Sequence, residues 1–361
     1  MKATQLLHDA GQSLWLDNIT RALVNSGGLK RYIDELAVTG LTSNPTIFDQ
    51  AIKSSKDYDT EIRDKAAAGK EGEPLFFELA LEDLTRAADL FRPIHDQTNG
   101  VDGWVSLEVS PKLAYDTAST VKAAKDLHAR GGRPNLFIKI PGTREGIPAI
   151  EEAIFAGVPI NVTLLFSRDQ YLAAAEAYIR GIERRLKAGL NPHVASVASI
   201  FVSRWDVAVA PKVPEAMHGR LGIAITKRVY KAYRDLLASN RWLRLLNFGA
   251  RSQRLLFAST GTKDPKASDV LYVKSLAAPH TINTMPEKTL SALASHGEIG
   301  AMLAHDGGDA ESVLAEFTKA GVDTDALADQ LQREGAEAFV KSWNDLLACL
   351  VDKSAALKKA S

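Results

Sequence analysis

The chain has 361 residues, with 44 lysines and arginines against 44 aspartates and glutamates, and 45% of it is apolar. This is the composition of an ordinary globular protein, long enough for two domains or for one large α/β barrel. Zero net charge speaks against a sequence-independent nucleic-acid binder and gives no reason to expect an anionic membrane as partner.

The opening stretch "MKATQLLHDAGQSLWLDNI" lacks the apolar run and small-residue cleavage site of a secretory signal. No later segment approaches the ~20 apolar residues of a membrane span. The expectation is a soluble, cytoplasmic protein. Short apolar or β-branched runs then alternate with longer helical stretches. The strands are expected at "LWLDNI" (14–19), "VTGLTSN" (38–44), "WVSLEV" (104–109), "LFIKIP" (136–141), "INVTLLF" (160–166), "VASVASIFVS" (194–203), "RLLFAST" (254–260) and "LYVKSL" (271–276). Between them, "SRDQYLAAAEAYIRGIERRLKAG" places apolar residues at helical spacing and ends on a glycine stop signal.

Eight strand–helix units predict a parallel sheet, closed as a (β/α)8 TIM barrel, with an open doubly wound sheet as the alternative. Two regions exceed the repeat. Residues 46–98 are too long for one crossover helix and are expected to hold two or three. Residues 286–361 read as wholly helical, with "EGAEAFVKSWNDLLACLV" clearly amphipathic. Both are read as helical additions to a single barrel domain over 1–361. Cys349, the one cysteine, sits in the apolar "LLACLV" and reads as a buried, inert thiol. Its solitude excludes an intramolecular disulfide and fits a reducing compartment.

Parallel strands covered on both faces usually read as continuous apolar runs. Here several break that rule with the same parity. Lys139 shares a strand face with Phe137, Glu108 with Ser106, Asp17 with Trp15, and Thr163 with Asn161. In a barrel these polar groups point inward and meet at the C-terminal ends of the strands. Burial disfavours the charged form of an amine, which can then attack a carbonyl as a neutral nucleophile. Imine formation needs proton transfers, which a nearby carboxylate can make directly or through a hydroxyl-held water. A second carboxylate can take the proton from the hydroxyl on the carbon being released. The residues alone leave two other readings open: a buried ion pair of Lys139 with Glu108 or Asp17 that does nothing more, or a lysine that carries pyridoxal phosphate.

Other motifs are set aside. "HDGGD" (305–309) lacks zinc or EF-hand spacing and reads as a solvated turn. No glycine-rich nucleotide motif and no hydrolase elbow occurs. The five tryptophans are scattered and read as packing residues.

"TGLTSNPTIF" (39–48) and "LFIKIPGTREGIPAIEEAIFAGVPINVTLLFS" (136–167) resemble the two signature regions of the transaldolases, and "LWLDNITR", "VSLEVSP", "VASIFVSRWD", "LLFASTGTKDP" and "YVKSL…TINTMPE" continue the likeness in order. The resemblance covers about residues 13–350 and is greatest to the longer bacterial members with "ASTGTK". It implies a (β/α)8 barrel and a Schiff-base mechanism with no metal or organic cofactor. It further implies that Lys139 is the nucleophile, Glu108 the acid/base, Asp17 the group that handles the substrate hydroxyl proton, and Thr163 the holder of the catalytic water. Asn44, with Thr42 beside it, would contact the dihydroxyacetone part of the substrate, and Ser199 and Phe201 match the motif of a neighbouring strand.

For a sugar phosphate, the expected anion site is Arg204 with Ser259, Thr260 and Lys263, all just past strand ends. Many members carry an arginine in "GASFR" where this loop offers Lys263. Arg254 is the rival, although it and Arg251 lie at the N-terminal end of their strand and read as structural. His280 stands where relatives carry an acid and reads as a surface loop residue. The implied reaction moves a dihydroxyacetone unit from sedoheptulose 7-phosphate or fructose 6-phosphate to an aldose phosphate. The rivals are a lyase that frees dihydroxyacetone and a non-catalytic sugar-phosphate-binding barrel. The implied partners are small sugar phosphates, and a homodimer is compatible with the sequence.

Overall fold

The computed structural model describes residues 2–359. Eight parallel strands close into one barrel in chain order: β1 (Gln12–Asp17), β2 (Val38–Thr42), β3 (Trp104–Glu108), β4 (Leu136–Pro141), β5 (Ile160–Leu165), β6 (Ser196–Phe201), β7 (Gln253–Ala258) and β8 (Thr281–Met285), with β8 pairing back onto β1. Helix α1 (Ala3–Asp9) precedes β1, and α2 (Arg21–Asn25) and α3 (Gly28–Leu36) follow it. Helices α4 (Pro45–Ser54), α5 (Asp59–Ala67) and α6 (Gly72–Gln97) fill the long crossover to β3. Then come α7 (Thr117–Gly131), α8 (Gly146–Phe155) and α9 (Arg168–Lys187), one per strand. After β6 lie α10 (Ser203–Val209), α11 (Leu221–Leu237) and α12 (Asn240–Asn247), and after β7 a short α13 (Leu271–Ser275). Helices α14 (Glu287–His296), α15 (Ala310–Lys319) and α16 (Thr324–Lys359) end the chain. Among the described residues no helix is long and apolar enough to cross a membrane.

Seven strands fall where the alternation places them, within a few residues. The eighth does not. "LYVKSL" forms the one-turn-plus helix α13, and the strand is the next run, "TINTM". Residues 271–276 look strand-like because Tyr272 and Val273 are buried, and a five-residue helix is too short to show its period. The 46–98 addition holds three helices. The 286–361 addition is less uniform than expected, because an irregular segment, 297–309, separates α14 from α15. Its "HDGGD" forms a turn with Gly307 and Gly308 at positive φ, and Asp309 pairs with Lys227 at 2.6 Å. His280 is exposed in the turn before β8, and Cys349 is half-buried on α16, not fully buried.

Local chemistry explains several boundaries. Asn44 caps α4, its side chain accepting the Ile47 N–H at 3.1 Å with Pro45 in the first turn. Ser167 and Gln170 form a capping box at the start of α9. The barrel interior is layered. Near its N-terminal end Trp15, Trp104 and Phe137 fill the lumen, the last two stacked at 4.0 Å between ring centres. The polar layer lies above them.

The two additions meet. Helix α16 packs along α4, α5 and α6. Trp343 lies 4.9 Å from the Phe76 ring, and its indole donates to Glu73 at 2.8 Å. Glu73 also accepts from Ser110, just past β3. The N-terminal half of α16 reaches the C-terminal mouth of the barrel, where Gln332 donates to the carbonyls of Gly142 and Leu164 at 3.0 and 2.9 Å.

Candidate active site

Strand register builds the site. Between β1 and β2, Asp17 stands beside Thr42; between β3 and β4, Glu108 stands beside Lys139; Thr163 stands beside Pro141 on the next pair. The four polar residues of common parity therefore do converge, at the C-terminal ends of the strands.

Lys139 and Glu108 are only 5% and 3% exposed, which makes their pairing consequential. Lys139 Nζ donates to the Ser43 carbonyl at 3.0 Å and lies 3.3 Å from Glu108 Oε2. Yet neither Glu108 oxygen has a hydrogen-bond partner among the described residues, so the contact is an ion pair without good alignment. Burial pushes the Glu108 carboxyl above the usual range; the Lys139 charge pulls it back, and Asp17 pushes it further up. Asp17 is likewise raised by burial, against Lys139, the Thr42 hydroxyl and Lys263. Thr42 Oγ1 donates to Asp17 at 2.8 Å and lies 2.8 Å from Thr284 Oγ1.

Thr163 is fully buried, lines the cleft, and has a hydroxyl without a partner among the described residues. A bulge aims it. The β5–β6 register breaks between Val162 and Leu165, and Leu164 takes φ +58°, a conformation that costs a branched residue free energy. The amide of Gln332 covers the Leu164 carbonyl there. Asn161 ties the layer together, donating to Ser106 at 3.1 Å and accepting from Ser199 at 2.7 Å.

The cleft holds a cavity of about 120 Å³, lined among others by Asn44, Ser199, Phe201, Arg204, Ser259 and Lys263. Arg204, just past β6, has no carboxylate within ion-pair distance among the described residues, and its burial pushes its pKa down. Its guanidinium instead sits 5.0 Å from the centre of the Phe201 ring and 5.8 Å from that of Phe339 on α16. Lys263 is exposed on the loop after β7. Ser259 sits at φ +56° with its hydroxyl 2.9 Å from that of Ser203.

Thr260 differs from expectation. It is completely buried, its hydroxyl is 2.8 Å from Asn283 Oδ1 and 2.9 Å from the Thr284 carbonyl, and it does not line the cavity. Its side chain braces β8 instead of facing a ligand. Arg254 lies at the opposite end of the barrel, bound to Ser13 and to the Val101 and Thr281 carbonyls. A wider cleft of about 530 Å³ opens at that end beside Arg251 and Arg254. It holds none of the convergent polar groups, so the smaller one is the candidate site.

Three lining or supporting groups escaped the sequence reading. Thr284 was lost with the misplaced eighth strand. Ser43 acts through its backbone. Phe339 looks like any apolar residue of an amphipathic helix. Among the described residues no group of three or more histidines, cysteines or carboxylates could hold a metal ion. The arrangement can form an imine on Lys139, move protons through Glu108 and Asp17, and bind an anion at Arg204.

A family model described as transaldolase/fructose-6-phosphate aldolase matches residues 14–350. Among curated proteins, a transaldolase from Saccharopolyspora erythraea is 43% identical over 95% of each chain. One from Parafrankia sp. is 44% identical over 94% of this chain and 95% of its own. A protein named transaldolase 2 from Nostoc punctiforme is 39% identical over 95% of each.

Proposed function

The chain belongs to the transaldolase/fructose-6-phosphate aldolase family, and from that premise we propose how its cleft works. The activity is that of a transferase of the transaldolase type, which moves a dihydroxyacetone unit from a ketose phosphate to an aldose phosphate. One observation carries the residue assignment: a lysine and a carboxylate, register neighbours and nearly fully buried, meet beside an unpartnered hydroxyl at the C-terminal mouth of the barrel.

In this reading Lys139 passes a proton to Glu108, whose carboxyl burial already favours in its neutral form, and attacks the ketone carbon as a free amine. Glu108, with a water held at Thr163, returns protons so that the carbinolamine loses water and leaves an imine. Asp17 takes the proton from the hydroxyl on the fourth carbon. The bond between the third and fourth carbons breaks, its electron pair enters the protonated imine, and the aldose phosphate departs. The three-carbon fragment stays on Lys139 as an enamine. It adds to the carbonyl of a second aldose phosphate, and Asp17 gives its proton to the new hydroxyl. Hydrolysis through Glu108 and the Thr163 water frees the product. Asn44, Ser199 and Thr42 serve the dihydroxyacetone part. Arg204, aided by Lys263 and Ser259, takes the phosphate, since an unpaired, desolvated guanidinium suits a bidentate anion.

This chemistry belongs to the non-oxidative pentose phosphate pathway, and we place it in the cytoplasm with small sugar phosphates as its only required partners. The test is borohydride reduction in the presence of fructose 6-phosphate, followed by peptide mapping. A reduced three-carbon adduct on Lys139 is expected. A folded, substrate-binding protein with no adduct would return Lys139 to a structural ion pair, and release of free dihydroxyacetone without an acceptor would make the enzyme a lyase.

A further inference from the structure

We propose that Phe339, on the C-terminal helix, is a positioning residue for phosphate recognition: it holds the Arg204 guanidinium in place and thereby sets the preference for phosphorylated over unphosphorylated sugars. The inference rests on the transaldolase reading and adds to it a residue from outside the barrel.

Arg204 presents a physical problem. A cation half-buried in a cleft wall usually has a carboxylate beside it, and among the described residues Arg204 has none at ion-pair distance. No hydrogen bond from its guanidinium to another described residue holds it either. A paired arginine would be fixed by its partner. An unpaired one keeps considerable rotamer freedom, and a mobile guanidinium loses affinity when a ligand has to order it. Its fixed contacts here are two aromatic rings, Phe201 from the strand end and Phe339 from α16. Rings attract a guanidinium without occupying its N–H groups. The donors stay free for phosphate oxygens while the side chain is held.

Helix α16 is built to deliver that ring. Gln332, Gly335, Phe339 and Trp343 fall at intervals of three and four and share one face. Gln332 pins the helix to the loop after β4 and to the end of β5, the strands that carry Lys139 and Thr163. Trp343 pins it to Glu73. Gly335 lets the backbone between these pins come close: a Cβ there would lie 2.9 Å from Arg204 Nη1 and 2.9 Å from Leu164 Cδ2. Together these features seat this turn of helix against Arg204.

The experiment compares acceptors. With fructose 6-phosphate saturating, kcat/KM is measured for glyceraldehyde 3-phosphate and for unphosphorylated glyceraldehyde. In Phe339→Leu, and in Phe339→Met as a longer, more adaptable backup should the leucine variant fold poorly, the preference for the phosphorylated acceptor is expected to fall about tenfold, mainly through KM. Phe339→Tyr should restore most of it. Gly335→Ala should lower it too, by pushing on Arg204. If both acceptors weaken equally, Phe339 is packing alone and the proposal fails. It also fails if the preference is unchanged. The Lys139 adduct should still form in every variant. Its absence from the wild-type protein would instead count against the transaldolase reading itself.

Discussion

The two ends of the barrel use the same kinds of residue to opposite effect. At the N-terminal end Arg254 donates to Ser13 and two carbonyls, and the nearby Asp102 accepts from Ser13, from the Trp15 indole at 2.8 Å and from the Gly103 N–H. The charges there are enclosed and bonded. The loose atoms are neutral ones, such as the amide oxygens of Gln12 and Gln253, whose nitrogens are bonded. At the C-terminal end the groups left without a hydrogen-bond partner among the described residues are the charged and reactive ones: both oxygens of Glu108, held only by the long contact to Lys139, the hydroxyl of Thr163, and Arg204 with no acid at ion-pair distance. Burial without bonding is costly. A fold tolerates it where a ligand will complete the set.

Substitutions can break or sharpen this contrast. The largest effect is expected from Glu108→Gln, which keeps the shape of a side chain that makes no hydrogen bond but removes its proton traffic. Turnover should fall about 10²–10⁴-fold, with slower adduct formation on Lys139; wild-type turnover would show that another group carries the protons. Arg254→Ala is the mirror experiment. It should lower stability by roughly 3–5 kcal/mol in denaturant titration, with kcat per folded molecule changed by less than about twofold. A collapse of kcat at unchanged stability would erase the difference between the ends. Arg204→Ala should raise the KM for fructose 6-phosphate about 10–100-fold, the equivalent of a lost charge-assisted hydrogen bond. Equal KM values would move the phosphate site elsewhere.

The smallest effect concerns pH. Burial raises the Asp17 carboxyl, and the Thr42 hydroxyl is one of the groups that lower it again. Asp17 must be ionised to accept a proton, so activity is lost as pH falls through its raised value. The acid limb of kcat/KM should therefore lie above the ordinary carboxylate range. Thr42→Val removes a stabilising bond to the ionised form and should shift that limb to higher pH. A shift to lower pH would contradict the assignment of Asp17 as the base.

How much of this was legible depends on what each residue does. Inward polar groups on buried strands violate a rule, so Asp17, Glu108, Lys139 and Thr163 stand out in the sequence. They violate it in register, which is why the barrel could be read with them. Strand β8 obeys no such signal: it is five residues long and largely polar, and the apolar "LYVKSL" before it drew the assignment. Thr260 lies in the right loop, but its hydroxyl turns into the wall toward Asn283, a rotation that spacing does not encode. Phe339 is invisible for a different reason. Apolar residues at helical spacing predict that a helix buries a face, never which side chain it will meet 135 positions away.

Helix α16 also has a consequence for the order in which the protein becomes itself. Chain synthesis delivers Asp17 first among the cleft residues and Phe339 after all the strands are made. A nascent chain halted before Thr324 already carries the lysine, both carboxylates and the hydroxyl that the proposed chemistry uses. It lacks the amide that covers the Leu164 carbonyl and the second ring against Arg204. On the proposed assignment the reactive machinery is thus written early and its address label late, so that translation has to pass through α16 before the catalyst can recognise the molecules it is meant to serve.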